Sequence, residues 1–231
     1  MLFRSLYTQT LETHGVERLL ERATVTGPNS VRLAGGREIT AGRILIATGA
    51  WPAMPDVPGI EHCVTSNEMF HLEQLPKRLV VIGGGYIALE FAGIFNALGS
   101  QVTLVNRSET LLRGYDRSIV DRLVQISMAR GIDFRLNCPF EKVERAADGS
   151  LLVHRGRADP ISADVVLVAT GRRPNTDGLG LESAGIELGK GGEIPVDGNG
   201  RTSCPSIHAV GDVTDRVQLT PIAIQIGRAH V

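Results

Sequence analysis

Positions 83–88 hold the residues of this 231-residue chain best suited to chemistry, and they read Gly83-Gly84-Gly85-Tyr86-Ile87-Ala88. An apolar run at 79–82 leads into them, and residues 86–98 follow with a single charge, Glu90. Gly99 ends that stretch, and a second apolar run occupies 102–105. Strand, glycine turn, buried helix and strand, in that order, form the first half of a dinucleotide-binding fold. Gly83 permits the tight turn, Gly85 lets a pyrophosphate reach the backbone, and small Ala88 lets helix and strand pack closely. The helix then presents free N–H groups and the positive end of its dipole to the phosphates. A purely structural glycine turn would not need all three flanking elements.

The tip of the second strand selects among dinucleotides. An NAD-binding unit places Asp or Glu about 20 residues past the glycines to accept from the ribose 2′-OH. Here the residues are Asn106-Arg107, with Arg113 six positions on. Two guanidiniums and no carboxylate suit a 2′-phosphate, because arginine presents a fork of donors to phosphate oxygens. The alternative is a pair of solvated surface arginines.

Further along, residues 206–212 read as a short strand delivering one carboxylate, Asp212, at its end. A ligand hydroxyl is a natural partner for it; a turn or a helix cap is the plainer use. Leu219-Thr220-Pro221 opens a helix with proline in its first turn. That leaves backbone N–H groups where an electron-rich ring could be stabilised. Cys63, Cys138 and Cys204 form no C-x-x-C, no metal spacing and no disulfide framework, and the six histidines are scattered. No metal site and no catalytic side chain is expected from these residues. Thiols of this kind fit a reducing compartment, so the cytoplasm is the expected location.

These groups need elements to position them. A net charge of −1 and 4% aromatic content leave no footprint for nucleic acid. No apolar run is long enough to span a membrane, and the first residues carry no secretory signal. The hydrophobic content of 42% supports one large or two small cores. Residues 11–22 mix charges into a short apolar run and are not decisive. Residues 23–25, 30–33 and 38–40 read as an antiparallel meander, feeding a buried strand that ends at Ala47-Thr48-Gly49. ILIATGAWP at 44–52 has an echo in VLVATGRRP at 166–174, ending at Gly171 and Arg172. The second copy also follows a meander, at 140–145 and 151–154, around an Asp148-Gly149 turn. A repeated meander-then-ATG unit implies two domains of similar build. The glycine at each strand end lets the backbone run close to a nucleotide. Prolines 52, 55, 58 and 76 mark a linker into the second domain. Asp116 is placed to cap a helix with apolar Ile119, Leu123, Val124 and Ile126, ended by Gly131, and 132–136 reads as the third parallel strand.

GGGYIALEFAG, the two ATG strands, AVGD and LTP, in this order, resemble the flavin- and pyridine-nucleotide-dependent disulfide reductases, and among them most resemble the glutathione reductases. The resemblance covers nearly the whole chain. It implies an α/β fold of two Rossmann-like, three-layer domains that bind FAD and NADPH, each with an inserted antiparallel β-meander, one domain incomplete. Residues 1–50 would be the end of the first FAD-domain segment, 51–172 the NADPH-binding domain, and 173–231 the return to the FAD and central domains. It further implies that NADPH reduces FAD, which passes electrons to a cysteine pair and on to glutathione disulfide. Tyr86 would cover the nicotinamide pocket, with Ile87 and Glu90 near the ring and Glu90 pairing a lysine by the flavin. Arg107 and Arg113 would hold the 2′-phosphate, and Gly171 and Arg172 would lie along the cofactor. Thr48 and Gly49 belong to the FAD side; Asp212 would bind the ribityl chain and Thr220 would donate its N–H to the flavin. Arg228 falls where the family contacts a glutathione carboxylate.

The departures are equally informative. This sequence has no earlier glycine fingerprint for the ADP half of FAD, no cysteine pair separated by four residues, and no interface segment with a catalytic histidine and glutamate. The expectation is an internal fragment, inactive alone, of a parent that dimerises through a missing C-terminal domain. Two other readings stand beside it: a fragment of dihydrolipoamide dehydrogenase or mercuric reductase, and a non-catalytic nucleotide-binding module.

Overall fold

The computed structural model describes residues 2–228, with side chains described for residues 6–224. The chain divides into two compact units, Trp51–Arg173 and Met1–Ala50 with Pro174–Val231.

A four-stranded sheet in the order Val165–Val168, Arg78–Ile82, Gln101–Val105, Asp133–Arg135 forms the centre of the Trp51–Arg173 unit. All its pairings are parallel, with Val80 opposite Val166 and Thr103, and Leu104 opposite Phe134. Side chains alternate across a strand, so neighbouring residues serve opposite faces. Leu79, Val81, Val102, Leu104 and Leu167 pack with Ala88, Phe91, Ala92 and Phe95 of the Tyr86–Ala97 helix and with Val120 of the Arg117–Ala129 helix. Val80, Ile82, Val105, Val166 and Val168 turn the other way, onto Val143, Leu151, Val153 and Ala163. Those residues belong to an antiparallel meander of Lys142–Arg145, Leu151–Arg155 and Ala158–Ala163. Helices, sheet and meander thus make three layers, and a sheet covered on both faces explains the apolar runs at 79–82, 104–105 and 165–168, while the edge strand Asp133–Arg135 keeps exposed charges at both ends. Each fully buried Val or Leu contributes about 1.5–3 kcal/mol relative to exposure.

The helix after the arginines begins where expected but turns a different face inward. Asp116 caps it, accepting from the Ser118 and Ile119 N–H groups at 2.9 and 3.4 Å. These bonds, with the Ser118 hydroxyl foremost, hold its carboxyl below the ordinary aspartate range. Ile119, Leu123 and Ile126 are exposed, while Val120 is buried and Val124 packs on the core. Residues 119, 123 and 126 share one helical stripe, and 120 and 124 share the adjacent one, which is the stripe that meets the sheet.

In the other unit, Ala23–Gly27, Ser30–Leu33 and Glu38–Thr40 form the antiparallel meander. Ile44–Ile46 pairs in parallel with Ile207–Ala209, which lies some 160 residues later. Val25, Ile46, Leu179, Leu181, Ile186, Ile194, Ile207, Ala209 and Val213 close a separate core. Helices Leu2–Thr13 and Thr220–Arg228 complete this unit. Among the described residues no helix is long and apolar enough to cross a membrane.

Candidate functional site

Three consecutive glycines end the Arg78–Ile82 strand, each glycine for a different reason. Gly83 donates its N–H to the Val105 carbonyl at 2.9 Å and has φ of 141°, a region closed to side chains. A Cβ there would overlap the Ala169 carbonyl oxygen and lie 2.8 Å from its carbon. Gly84 faces the carboxamide of Asn106, whose Cγ, Nδ2 and Oδ1 would each be 2.9 Å from an added Cβ. Gly85 is the N-cap of the Tyr86–Ala97 helix, with φ −89° and ψ 177°, and nothing lies within 4 Å of where its Cβ would stand. Gly83 and Gly84 therefore serve the protein's own packing. Gly85 is exposed and leaves an open approach to the first turn of the helix, where N–H groups lack intrahelical partners. That open cradle fits the phosphates of a dinucleotide. Tyr86 is exposed beside it, Ile87 packs against the helix core, Glu90 is exposed, and Ala88 is fully buried, 3.5 Å from the Cβ that Gly83 lacks.

Residues 106–113 lie alongside this turn. Leu112 donates its N–H to the Gly84 carbonyl at 2.7 Å, with Leu112 itself held at φ 45°. Asn106, 7% exposed, donates from Nδ2 to the Ser108 carbonyl at 2.8 Å, to the Thr110 carbonyl at 3.1 Å and toward the Ser108 hydroxyl at 3.2 Å. Its backbone joins the loop to the next strand: the N–H donates to Arg135, and the carbonyl accepts from Cys138, both at 2.9 Å. Arg107 and Arg113 are exposed on this loop, and Arg113 Nη2 reaches the Ser108 hydroxyl at 3.4 Å. The bracing by Asn106 is the part that sequence reasoning missed. An asparagine followed two positions on by serine at a strand end is the signal that could have found it.

Ala169 lies beside Gly83, because Val168 pairs with Ile82 and the Ala169 N–H donates to the Ile82 carbonyl at 2.8 Å, and Gly171 follows two residues on. Gly171 has φ of 144°, its carbonyl accepts from Ala53, and half-buried Arg172 opens the Arg172–Pro174 strand. Gly83, Gly84, Gly85, Tyr86, Ile87, Arg107, Arg113 and Gly171 are therefore gathered at the carboxyl ends of parallel strands, where open α/β sheets bind ligands.

The remaining candidates lie in the other unit. Thr48 donates its hydroxyl to the Asn175 carbonyl at 2.8 Å, and the Gly49 carbonyl accepts from Asn175 N–H at 2.9 Å. Asp212 does not end a strand directly as expected; the strand stops at Ala209 and Asp212 sits in the short helical turn Gly211–Thr214. Gly211, at φ 77°, allows that turn to pack on Ala223 of the final helix, 3.6 Å from where its Cβ would be. Thr220 opens that helix. The side chain of Arg228 lies outside the described residues. Cys63 and Cys138 are half-buried and Cys204 is buried. Burial, with the Glu61 carboxylate adding to it, pushes the Cys63 thiol up to about 11. Among the described residues no group of three His, Cys, Asp or Glu side chains could hold a metal ion.

Parallel strands ending in glycine turns, found in both units, are consistent with Rossmann-like nucleotide-binding domains. The chain belongs to the pyridine nucleotide-disulphide oxidoreductase family, whose model matches residues 3–227. Members of this family use FAD and NAD(P)H. The chain is 46% identical over 224 residues to a glutathione reductase of Burkholderia cepacia, covering 97% of this chain and 49% of that protein. It is 42% identical over 231 residues to a trypanothione reductase of Trypanosoma congolense, covering 95% of this chain and 47% of the relative. Among solved structures, the HOCl-induced flavoprotein disulfide reductase RclA of Escherichia coli superposes with a TM-score of 0.84 at 34% identity, over 90% of this chain and 48% of that one. The chain spans about half the length of the curated relatives it matches.

Proposed function

We propose that this chain carries the NADPH site and part of the FAD site of a flavoprotein whose substrate is glutathione disulfide. The observation that carries this reading is the loop of Arg107 and Arg113, latched to the glycine turn through Leu112 N–H and Gly84 at 2.7 Å, with Asn106 rather than a carboxylate directly after the strand. Arginine forks suit the three oxygens of a 2′-phosphate. In this reading residues 51–172 are the NADPH domain, residues 1–50 and 173–231 belong to the FAD side, and both are Rossmann-like. When bound, NADPH supplies the hydride and FAD accepts its electron pair. The chain's residues do the holding. Gly85 admits the pyrophosphate to the helix N–H groups, Arg107 and Arg113 grip the 2′-phosphate, and Tyr86 shields the nicotinamide pocket beside Ile87 and Glu90. Gly171 and Arg172 line the cofactor's path. Thr48, Gly49, Asp212 and the Thr220 N–H contact FAD, and Arg228 meets a glutathione carboxylate. The protein of the relatives' full length acts as a homodimer in the cytoplasm.

Calorimetric titration tests the cofactor assignment. One charge-assisted hydrogen bond contributes about 1.5–3 kcal/mol, so NADPH should bind roughly 10- to 150-fold tighter than NADH. Equal affinities overturn it. The substrate is tested with the relatives' full length, assayed for NADPH oxidation with glutathione disulfide, trypanothione disulfide and lipoamide; faster turnover of either of the last two reassigns the substrate.

A further inference from the structure

Asn106 stands at the point where the glycine turn, the arginine loop and the third strand meet, and it is buried there. Both hydrogens of its Nδ2 are engaged by oxygens of the loop, the carbonyls of Ser108 and Thr110 and the Ser108 hydroxyl. Its backbone is fixed on both sides by Arg135 and Cys138. The position of Gly84's missing Cβ is the same 2.9 Å from Cγ, Nδ2 and Oδ1, so the carboxamide lies face-on against Gly84. The far end of the loop is tied to the same glycine, by the bond from Leu112 N–H to its carbonyl. Leu112 adopts a left-handed φ of 45°, a conformation that costs energy in a leucine and persists where its surroundings hold it.

We propose that Asn106 is the positioning residue for cofactor selectivity: its carboxamide clamps the loop carrying Arg107 and Arg113 against Gly84 and so presents both guanidiniums to the 2′-phosphate. The proposal rests on the NADPH reading. A carboxylate at 106 cannot replace the carboxamide, because it brings no donor to the two carbonyl oxygens that now accept. Gly84, a position the turn motif leaves variable, is then required to be glycine by the face of Asn106.

The test measures dissociation constants of the full 231-residue chain for NADPH and NADH, and for 2′,5′-ADP and 5′-AMP. Asn106→Ala should weaken NADPH and 2′,5′-ADP about tenfold, the scale of one lost hydrogen bond to a charged group, and change NADH and 5′-AMP less than about twofold. Gly84→Ala should have the same selective effect by displacing the carboxamide. Combined with Asn106→Ala it should add nothing, because neighbours sharing one contact are not additive. Asn106→Asp should lose selectivity as Asn106→Ala does. A merely structural role would weaken all four ligands alike. If Asn106→Ala fails to fold, the ratio measured for Gly84→Ala decides. An unchanged NADPH-to-NADH ratio in the folded variant overturns the clamp. Equal affinities in the unaltered chain overturn instead the phosphate reading beneath it.

Discussion

Gly83 and Gly85 sit two residues apart in one turn, yet replacing each by alanine should injure different properties. At Gly83 the backbone is at φ 141° and the new methyl would overlap the Ala169 carbonyl, which is itself held because the Ala169 N–H donates to Ile82. Neither backbone can step aside without breaking strand pairing. Strain of this kind costs about 1–3 kcal/mol and the clash adds to it, so a loss of about 3 kcal/mol or more is expected. For a chain of this size that is a melting point lower by about 6 °C or more. Gly85→Ala meets no such obstacle, since φ −89° and ψ 177° suit alanine and the space is empty. Its structural cost is that of a poorer N-cap, about 0.5–1 kcal/mol. Its methyl instead occupies the approach to the helix N–H groups, so a phosphate loses at least one charge-assisted hydrogen bond and affinity falls about 10-fold or more. Gly85→Ser separates the two effects, because serine is a good cap and yet fills the same space. Differential scanning calorimetry with titration of NADPH reads both quantities. A Gly85→Ala protein that binds NADPH as tightly as the unaltered chain refutes the cradle. Equal destabilisation by Gly83→Ala and Gly85→Ala refutes the account of the turn.

Arg107→Ala combined with Arg113→Ala should weaken NADPH about 10- to 150-fold while leaving NADH nearly untouched, as measured by titration calorimetry. Asp164 accepts from Arg78 through its guanidinium at 2.6 Å and its N–H at 2.8 Å, and these bonds hold its carboxyl below the ordinary aspartate range. With the folded value depressed, the stabilisation is present above the unfolded value of about 3.9 and is lost as pH falls through the folded one. Asp164→Asn should therefore lower the urea midpoint at neutral pH and make its decline below about pH 4 shallower; an unchanged slope removes Asp164 from the acid response. The Cys63 thiol, pushed up to about 11, should be alkylated by iodoacetamide far more slowly at pH 7.5 than the thiol of an unfolded control. The 231 residues contain no C-x-x-C or C-x-x-x-x-C pair of cysteines, so the chain alone should not turn over glutathione disulfide with NADPH; measurable turnover contradicts that.

What the sequence determines by itself is local. The turn at 83–85, the helix beginning at Tyr86, the Asp116 cap and the three-stranded meander at the start follow from glycine conformations, a capping carboxylate and short-range alternation, and each acts within a few residues of its own position. The ATG echo is local too, since the residues of each copy are contiguous. Tertiary structure decides what depends on partners distant in the chain. Ala158–Ala163 is exposed over its first half and contains Pro160, so no period-2 pattern marks it; it is a strand because Leu151–Arg155 lies beside it to accept its pairing. The inward stripe of the Arg117–Ala129 helix is chosen by the sheet beneath it, since Ile119 and Val120 are equally apolar in the sequence. Ile207–Ala209 is legible as a short strand, but its parallel partner, Ile44–Ile46, lies far away in the chain and is chosen only by folding. Two arginines were legible as a pair of charges. That they ride on a loop clamped by a buried asparagine follows only from the fold, because the oxygens it bonds and the glycine it covers meet it through folding of the strand tip.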